Sequence, residues 1–172
     1  MTHLIIEIKA RCNHTDEIRN ILINSNADFK GYDYQTDTYF NCSNGRLKLR
    51  EGNIEHNLIH YNRENKSGPK DSVVTLYKPM PDSALKEILT GSLGILVVVK
   101  KKREIYFIDN IKFHIDCVEK LGSFIEIEAI DKDGNIGRDQ LLDQCEQYMK
   151  LFKIKPLDLI EYSYSDMLLS AV

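Results

Sequence analysis

Arg46-Leu47-Lys48-Leu49-Arg50 alternates cation and leucine without a break. Side chains of a strand point to opposite faces with period two, so the three cations share one face and both leucines the other. Guanidinium forks grip phosphate oxygens in pairs and an ammonium adds a compact charge, so cations spaced about 7 Å apart along a strand suit a chain of phosphates. The pentapeptide equally suits an amphipathic surface strand with solvated charges. Its weight comes from the strands around it, several of which repeat the arrangement.

Leu4 to Ala10 alternates in the same way, with Leu4, Ile6, Ile8 and Ala10 on one side and Ile5, Glu7, Lys9 and Arg11 on the other. Thr15 is placed to cap a helix running to about Asn26, with Asp16 and Glu17 in its first turn. Asp33 to Asn41 is rich in Thr and aromatic residues, and Ser43-Asn44-Gly45 turns it into the cationic strand, which predicts a hairpin. Asn57 to Arg63 reads as a strand, Glu64 to Asp71 as a polar loop broken by Gly68-Pro69, and Ser72 to Tyr77 as a strand. Asp82 is placed to cap a short helix through Leu89 that Gly91 ends. Ile95 to Ile108 reads as a buried strand turning at Asp109-Asn110. Ile111 to Val118 and Phe124 to Ile130 form a second hairpin across Glu119 to Ser123, with Cys117 expected in the apolar layer beside Phe113 and Ile115. Leu141 to Phe152 is an amphipathic helix, and Leu159 to Leu169 a helical cover after Pro156.

At 172 residues the chain is expected to be one domain, residues 1–172, with a core of its own. A net charge of −3 gives no global basic field, which argues against nucleic acid as a partner. Cys12, Cys42, Cys117 and Cys145 form no CxxC pair and read as reduced thiols of a cytoplasmic protein. The longest apolar run, Ile95 to Val99, is too short to span a bilayer as a helix, so neither a membrane nor secretion is expected. Walker A, GxGxxG and HExxH patterns are absent from the sequence. His14, His56 and His60 have neither zinc spacing nor a nearby nucleophile and read as surface or strand residues.

The collected polar faces carry Glu7 and Lys9; Arg46, Lys48 and Arg50; Lys101 and Arg103; Lys112, His114 and Asp116; Glu126 and Glu128. About eight antiparallel strands with one face so charged form either an open sheet facing water or a closed barrel with a polar lumen. A closed lumen needs neutralising, and a triphosphate with divalent cations does this: carboxylates hold Mg2+ or Mn2+, and the basic groups take the remaining phosphate charge. The competing reading of Glu126 and Glu128 is cross-strand ion pairing.

The order and spacing of Glu7-Ile8-Lys9, Gln35 to Phe40, Arg46 to Arg50, Lys101 with Arg103, His114-Ile115-Asp116 and Leu121 to Glu128 resemble the CYTH superfamily of triphosphate tunnel proteins. Arg63 with its Gly-Pro-Lys loop, and His114 to Glu128, look most like the class IV adenylyl cyclase branch. The resemblance covers nearly the whole chain and implies an α+β fold, an eight-stranded antiparallel closed β-barrel with flanking helices. It places Lys9, Arg46, Lys48, Arg50, Arg63, Lys101 and Arg103 on phosphates, Glu7, Asp116, Glu126 and Glu128 around metal, and Glu7, Lys9, Arg103 and Asp116 in catalysis. It also allows a homodimer. The family opens with ExExK, yet Ile5 stands at the first glutamate position, so one carboxylate is missing and His3 on the same face is a poor magnesium ligand. The implied activity is conversion of ATP to cyclic AMP and pyrophosphate. The alternatives are hydrolysis of thiamine triphosphate, a nucleotide or tripolyphosphate, and a non-catalytic binder of phosphorylated ligands. Tyr39, Tyr61 and Tyr106 are candidates to contact an adenine, and Lys66 and Lys70 to close over substrate.

Overall fold

Alternation along the strands decides the architecture. In the computed structural model, which describes residues 2–80 and 83–171, eight strands close into an antiparallel barrel. They are β1 (Thr2–Arg11), β2 (Asp28–Phe40), β3 (Arg46–Glu51), β4 (His56–Arg63), β5 (Lys70–Tyr77), β6 (Ile95–Ile108), β7 (Ile111–Val118) and β8 (Gly122–Asp131). Their order around the barrel is β1-β5-β4-β3-β2-β6-β7-β8, and β8 pairs with β1 to close it. The open-sheet alternative is thereby excluded.

The helices are α1 (Thr15–Asn24), α2 (Leu85–Leu93), α3 (Arg138–Leu151) and α4 (Tyr164–Ser170), with a 3-10 turn at Pro156–Asp158. Outward residues Ile6, Ile8, Phe113, Ile115, Ile125 and Ile127 pack with Ile18 and Leu22 of α1 and Leu141 and Cys145 of α3. Burying this layer supplies the apolar free energy that wraps β1, β7 and β8 from outside. On the other flank the wall is barer. Ile95, Leu96 and Val98 are 44%, 45% and 38% exposed, so the start of β6 is not the buried strand its composition suggested.

Several element ends differ from expectation. His14, not Thr15, is the N-cap of α1, and its side chain makes no cap hydrogen bond. Strand β2 begins at Asp28 because β6 is long enough to pair with it as far as Phe107, across an irregularity at Gly31, whose φ of 119° favours glycine. Strand β5 takes in Lys70 and Asp71 from the expected loop, and α2 ends at Gly94 (φ 72°) rather than Gly91. Asp82, expected to cap that helix, lies outside the described residues. Cys117 is exposed, because its side of β7 runs beyond the helical cover.

The segment before α4 lies across one end of the barrel. Leu159 bridges Ala10, the Ile160 N–H donates to the Lys9 carbonyl at 2.9 Å, and the buried Lys70 ammonium donates to the Ile160 and Glu161 carbonyls at 2.7 and 2.8 Å. The N-terminal end of β1, with His3 and Ile5, lies at the opposite mouth.

Candidate active site in the barrel lumen

Inward alternation brings the charged faces together around a cavity of about 280 Å³. At its deep end Asp37, reaching in from β2, is shared by three cations. It accepts from Lys48 at 2.9 Å, Lys101 at 2.8 Å, and Arg50 at 2.9 and 3.0 Å. Burial alone would raise its pKa, but Arg50, Lys101 and Lys48 outweigh it and hold the carboxyl well below the usual range. Lys101 shows the converse. Its burial, with Arg50, Arg103 and Lys48 nearby, outweighs its share of Asp37 and pushes it down to about 7.

On the facing wall Arg103 forks onto Asp116 at 2.7 and 2.6 Å and reaches Glu126 at 2.8 Å, while Lys9 meets Glu126 at 2.9 Å. Tyr164 of α4 donates to Asp116 at 2.8 Å, and the Lys9 ammonium sits 3.8 Å from the centre of its ring. Towards the mouth Arg63 pairs with Glu7 and Lys112 with Glu55, which also accepts from Arg50 at 2.8 Å. The lumen therefore neutralises much of its own charge, and an incoming polyanion has to exchange these pairs for its own contacts.

Glu7, Lys9, Lys48, Arg50, Arg63, Lys101, Arg103, Glu126 and Glu128 all line the cavity. Arg46 does not. It pairs with Asp166 at 2.8 Å and Asn65 at 3.0 Å, beside the segment that covers the deep end. Asp116 stands behind Arg103 rather than on the cavity wall. Tyr39 and Tyr61 line the cavity, whereas Tyr106 donates to Glu104 in the outer packing layer.

Sequence reasoning gave no role to Asp37, Glu55 or Tyr164. Asp37 had a signal: Asp33, Gln35, Asp37 and Tyr39 alternate on one face, and Asp37 registers opposite Arg50 across the β2–β3 hairpin. Glu55 sits in the β3–β4 turn, held by Asp33, which accepts from the Ile54 N–H at 2.9 Å and the Glu55 N–H at 3.0 Å. Tyr164 is brought in only by tertiary packing.

A divalent cation fits the acidic side of the lumen. Donor atoms of His114, Glu126 and Glu128 lie within 4.8 Å of one another, with His114 Nδ1 3.0 Å from a Glu126 oxygen and 3.8 Å from a Glu128 oxygen. Burial and Arg103 lower the His114 pKa, which keeps the imidazole neutral and able to ligate. Two carboxylates and an imidazole suit manganese better than magnesium.

The CYTH domain family model matches residues 3–163. A Methanocaldococcus jannaschii protein named "putative adenylate cyclase" is 25% identical over 178 residues, covering 94% of this chain and 97% of that protein. The solved structure of the PH1012 protein from Pyrococcus horikoshii OT3 is similar with a TM-score of 0.69 at 25% identity, over 94% of this chain and 98% of that one. HpAC1 from Hippeastrum, described as revealing a dominant triphosphatase activity, shares the fold at 12% identity with a TM-score of 0.64, over 98% of this chain and 96% of its own. With the closed barrel, the inward charges and a family match over nearly its whole length, the chain belongs to the CYTH domain family.

Proposed function

We propose that the protein is a metal-dependent enzyme of triphosphate substrates, acting as a single domain, and that it converts ATP to cyclic AMP and pyrophosphate. The observation that carries this reading is the order of groups along the lumen. Strand register sets Lys9 opposite Glu126 near the covered end and Glu7 opposite Glu128 one step nearer the mouth. A triphosphate entering with its terminal phosphates foremost meets Lys9, Lys48, Lys101 and Arg103 with those phosphates, leaving the α-phosphoryl group beside the carboxylates. The 3′-hydroxyl oxygen attacks the α-phosphorus and the bond to the bridging oxygen breaks. The cations of the cradle stabilise the pyrophosphate as its charge develops. With Glu128 among the metal-holding donors, Glu7 opposite it is the carboxylate left to accept the hydroxyl proton. Glu126, Glu128 and His114 would hold a magnesium or manganese ion, which when bound would supply Lewis-acid chemistry at the phosphoryl oxygens. The name of the Methanocaldococcus relative supports the cyclase reading.

A second reading, hydrolysis of the terminal phosphoryl group, uses the same cradle and is favoured by the activity described for HpAC1. To separate the two, the protein is incubated with ATP, thiamine triphosphate or tripolyphosphate and either metal, and products are resolved by phosphorus NMR. Cyclic AMP with pyrophosphate is expected. Orthophosphate with a diphosphate product moves the protein to the hydrolases, and binding without product makes it a ligand-binding module.

A further inference from the structure

Lys9 and Arg103, two cations of the cradle, share Glu126 at 2.9 and 2.8 Å. Glu126 also belongs to the donor set for a divalent cation, so it is not theirs alone. Each has a second anchor. Asp116 holds the Arg103 fork at 2.7 and 2.6 Å, and the Lys9 ammonium rests 3.8 Å from the centre of the Tyr164 ring. Tyr164 joins the two anchors. Its hydroxyl donates at 2.8 Å to Asp116 Oδ2, the same oxygen that takes Arg103 Nη2.

Burial decides what that hydroxyl does. Asp116, Arg103 and Tyr164 are 1%, 2% and 4% exposed, so bulk water does not replace a missing donor. A carboxylate that loses one of its donors is freer to turn, and it carries the guanidinium with it. The bonds of Arg103 to Asp116 and Glu126 use Nε and Nη2, not Nη1, and Arg103 lines the cavity. The orientation of Asp116 therefore decides which edge of the guanidinium meets a phosphate. Tyr164 is itself well fixed: it opens α4 behind the Ser163–Asp166 capping box and packs on Phe124 with ring centres 4.9 Å apart. Burial, with Asp116 and Glu126 nearby, raises its pKa well above the ordinary phenol value, so the hydroxyl keeps the proton it donates.

We infer that Tyr164 is a positioning residue of the phosphate cradle: its hydroxyl on Asp116 orients Arg103, and its ring face holds Lys9. Helix α4 is then part of the binding machinery as well as a cover. This rests on the triphosphate reading above.

The test is calorimetric binding of tripolyphosphate, with chelator present to stop turnover, beside NMR hydrogen exchange of the Arg103 Nε–H in protein carrying isotope-labelled arginine, the signal assigned from Arg103→Lys. Tyr164→Phe, which keeps the ring, should bind about five- to tenfold more weakly and speed that exchange to a similar degree. Tyr164→Leu, which removes the ring as well, should bind more weakly still. Leu168→Ala loosens α4 at its apolar packing, and should lower the thermal midpoint while affinity and Arg103 exchange stay within about twofold. Native affinity or native Arg103 exchange in Tyr164→Phe overturns the inference and leaves the triphosphate function standing. Leu168→Ala matching Tyr164→Phe in both readouts makes the effect one of helix docking, and overturns it too. Failure of tripolyphosphate to bind the native protein overturns the function and the inference together.

Discussion

Asp37 is shared by Lys48, Arg50 and Lys101 inside the barrel, so its loss leaves three buried cations facing one another. Asp37→Ala is expected to cost ~3–5 kcal/mol, read as a lower urea midpoint with little change in slope. Binding of a triphosphate should restore part of that loss, because phosphate replaces the missing anion. Lys101 makes stability depend on pH. Its folded pKa of about 7 lies below the ordinary 10.5, so between these values the unfolded chain holds more protons and stability rises with pH. Lys70, pushed down to about 8 by burial and by Arg63, adds to the upper part of the same window. Thermal unfolding followed from pH 7 to 10 should show this rise, and Lys101→Met should flatten it. Phosphate near Lys101 favours its charged form, so triphosphate binding at pH 8 should take up protons, measured by calorimetry in buffers of different ionisation enthalpy. At this scale the inward residues of the strands were legible because alternation is strict. Asp37 was on the page in the same pattern. Its importance was hidden because a shared buried charge is a matter of three strands meeting.

Strand faces and hairpins follow from local pattern, whereas element ends are set by partners. Strand β2 is extended by its pairing with β6, and α2 runs to the first glycine with a left-handed backbone, passing Gly91 on the way. The β3–β4 turn is a case in which a single atom matters. Gly52 packs so closely on the Asp33 carboxylate that a Cβ there would collide with it, and Asp33 is the acceptor that fixes Glu55. Gly52→Ala is expected to destabilise by ~1–3 kcal/mol, measured by chemical denaturation, and to loosen Glu55 from Lys112 and Arg50. Nothing in the local sequence announces this, since the clash involves side-chain oxygens 19 positions away. Helix α4 is similar. Its capping box, Ser163 with Asp166, is readable, but its placement over Lys9 comes from packing of the whole barrel.

At the scale of the molecule, closure decides everything else. The recurrence of both charge signs on one face made a lumen conceivable, and the motif order favoured it. The pairing of β1 with β8 completes it. The lumen also supplies much of its own counter-charge, and the cross-strand pairing weighed for Glu126 is realised with Lys9 and Arg103.

The strap of residues across the Lys9 end leaves the mouth by His3 and Ile5 as the route of traffic. For the cyclase proposed above, passage through that mouth predicts ordered release, with cyclic AMP leaving first and pyrophosphate, lodged beneath it, leaving last. Pyrophosphate should accordingly inhibit competitively with ATP and cyclic AMP noncompetitively, a pattern that steady-state product-inhibition kinetics would show. A barrel covered at one end thus predicts a queue among its products.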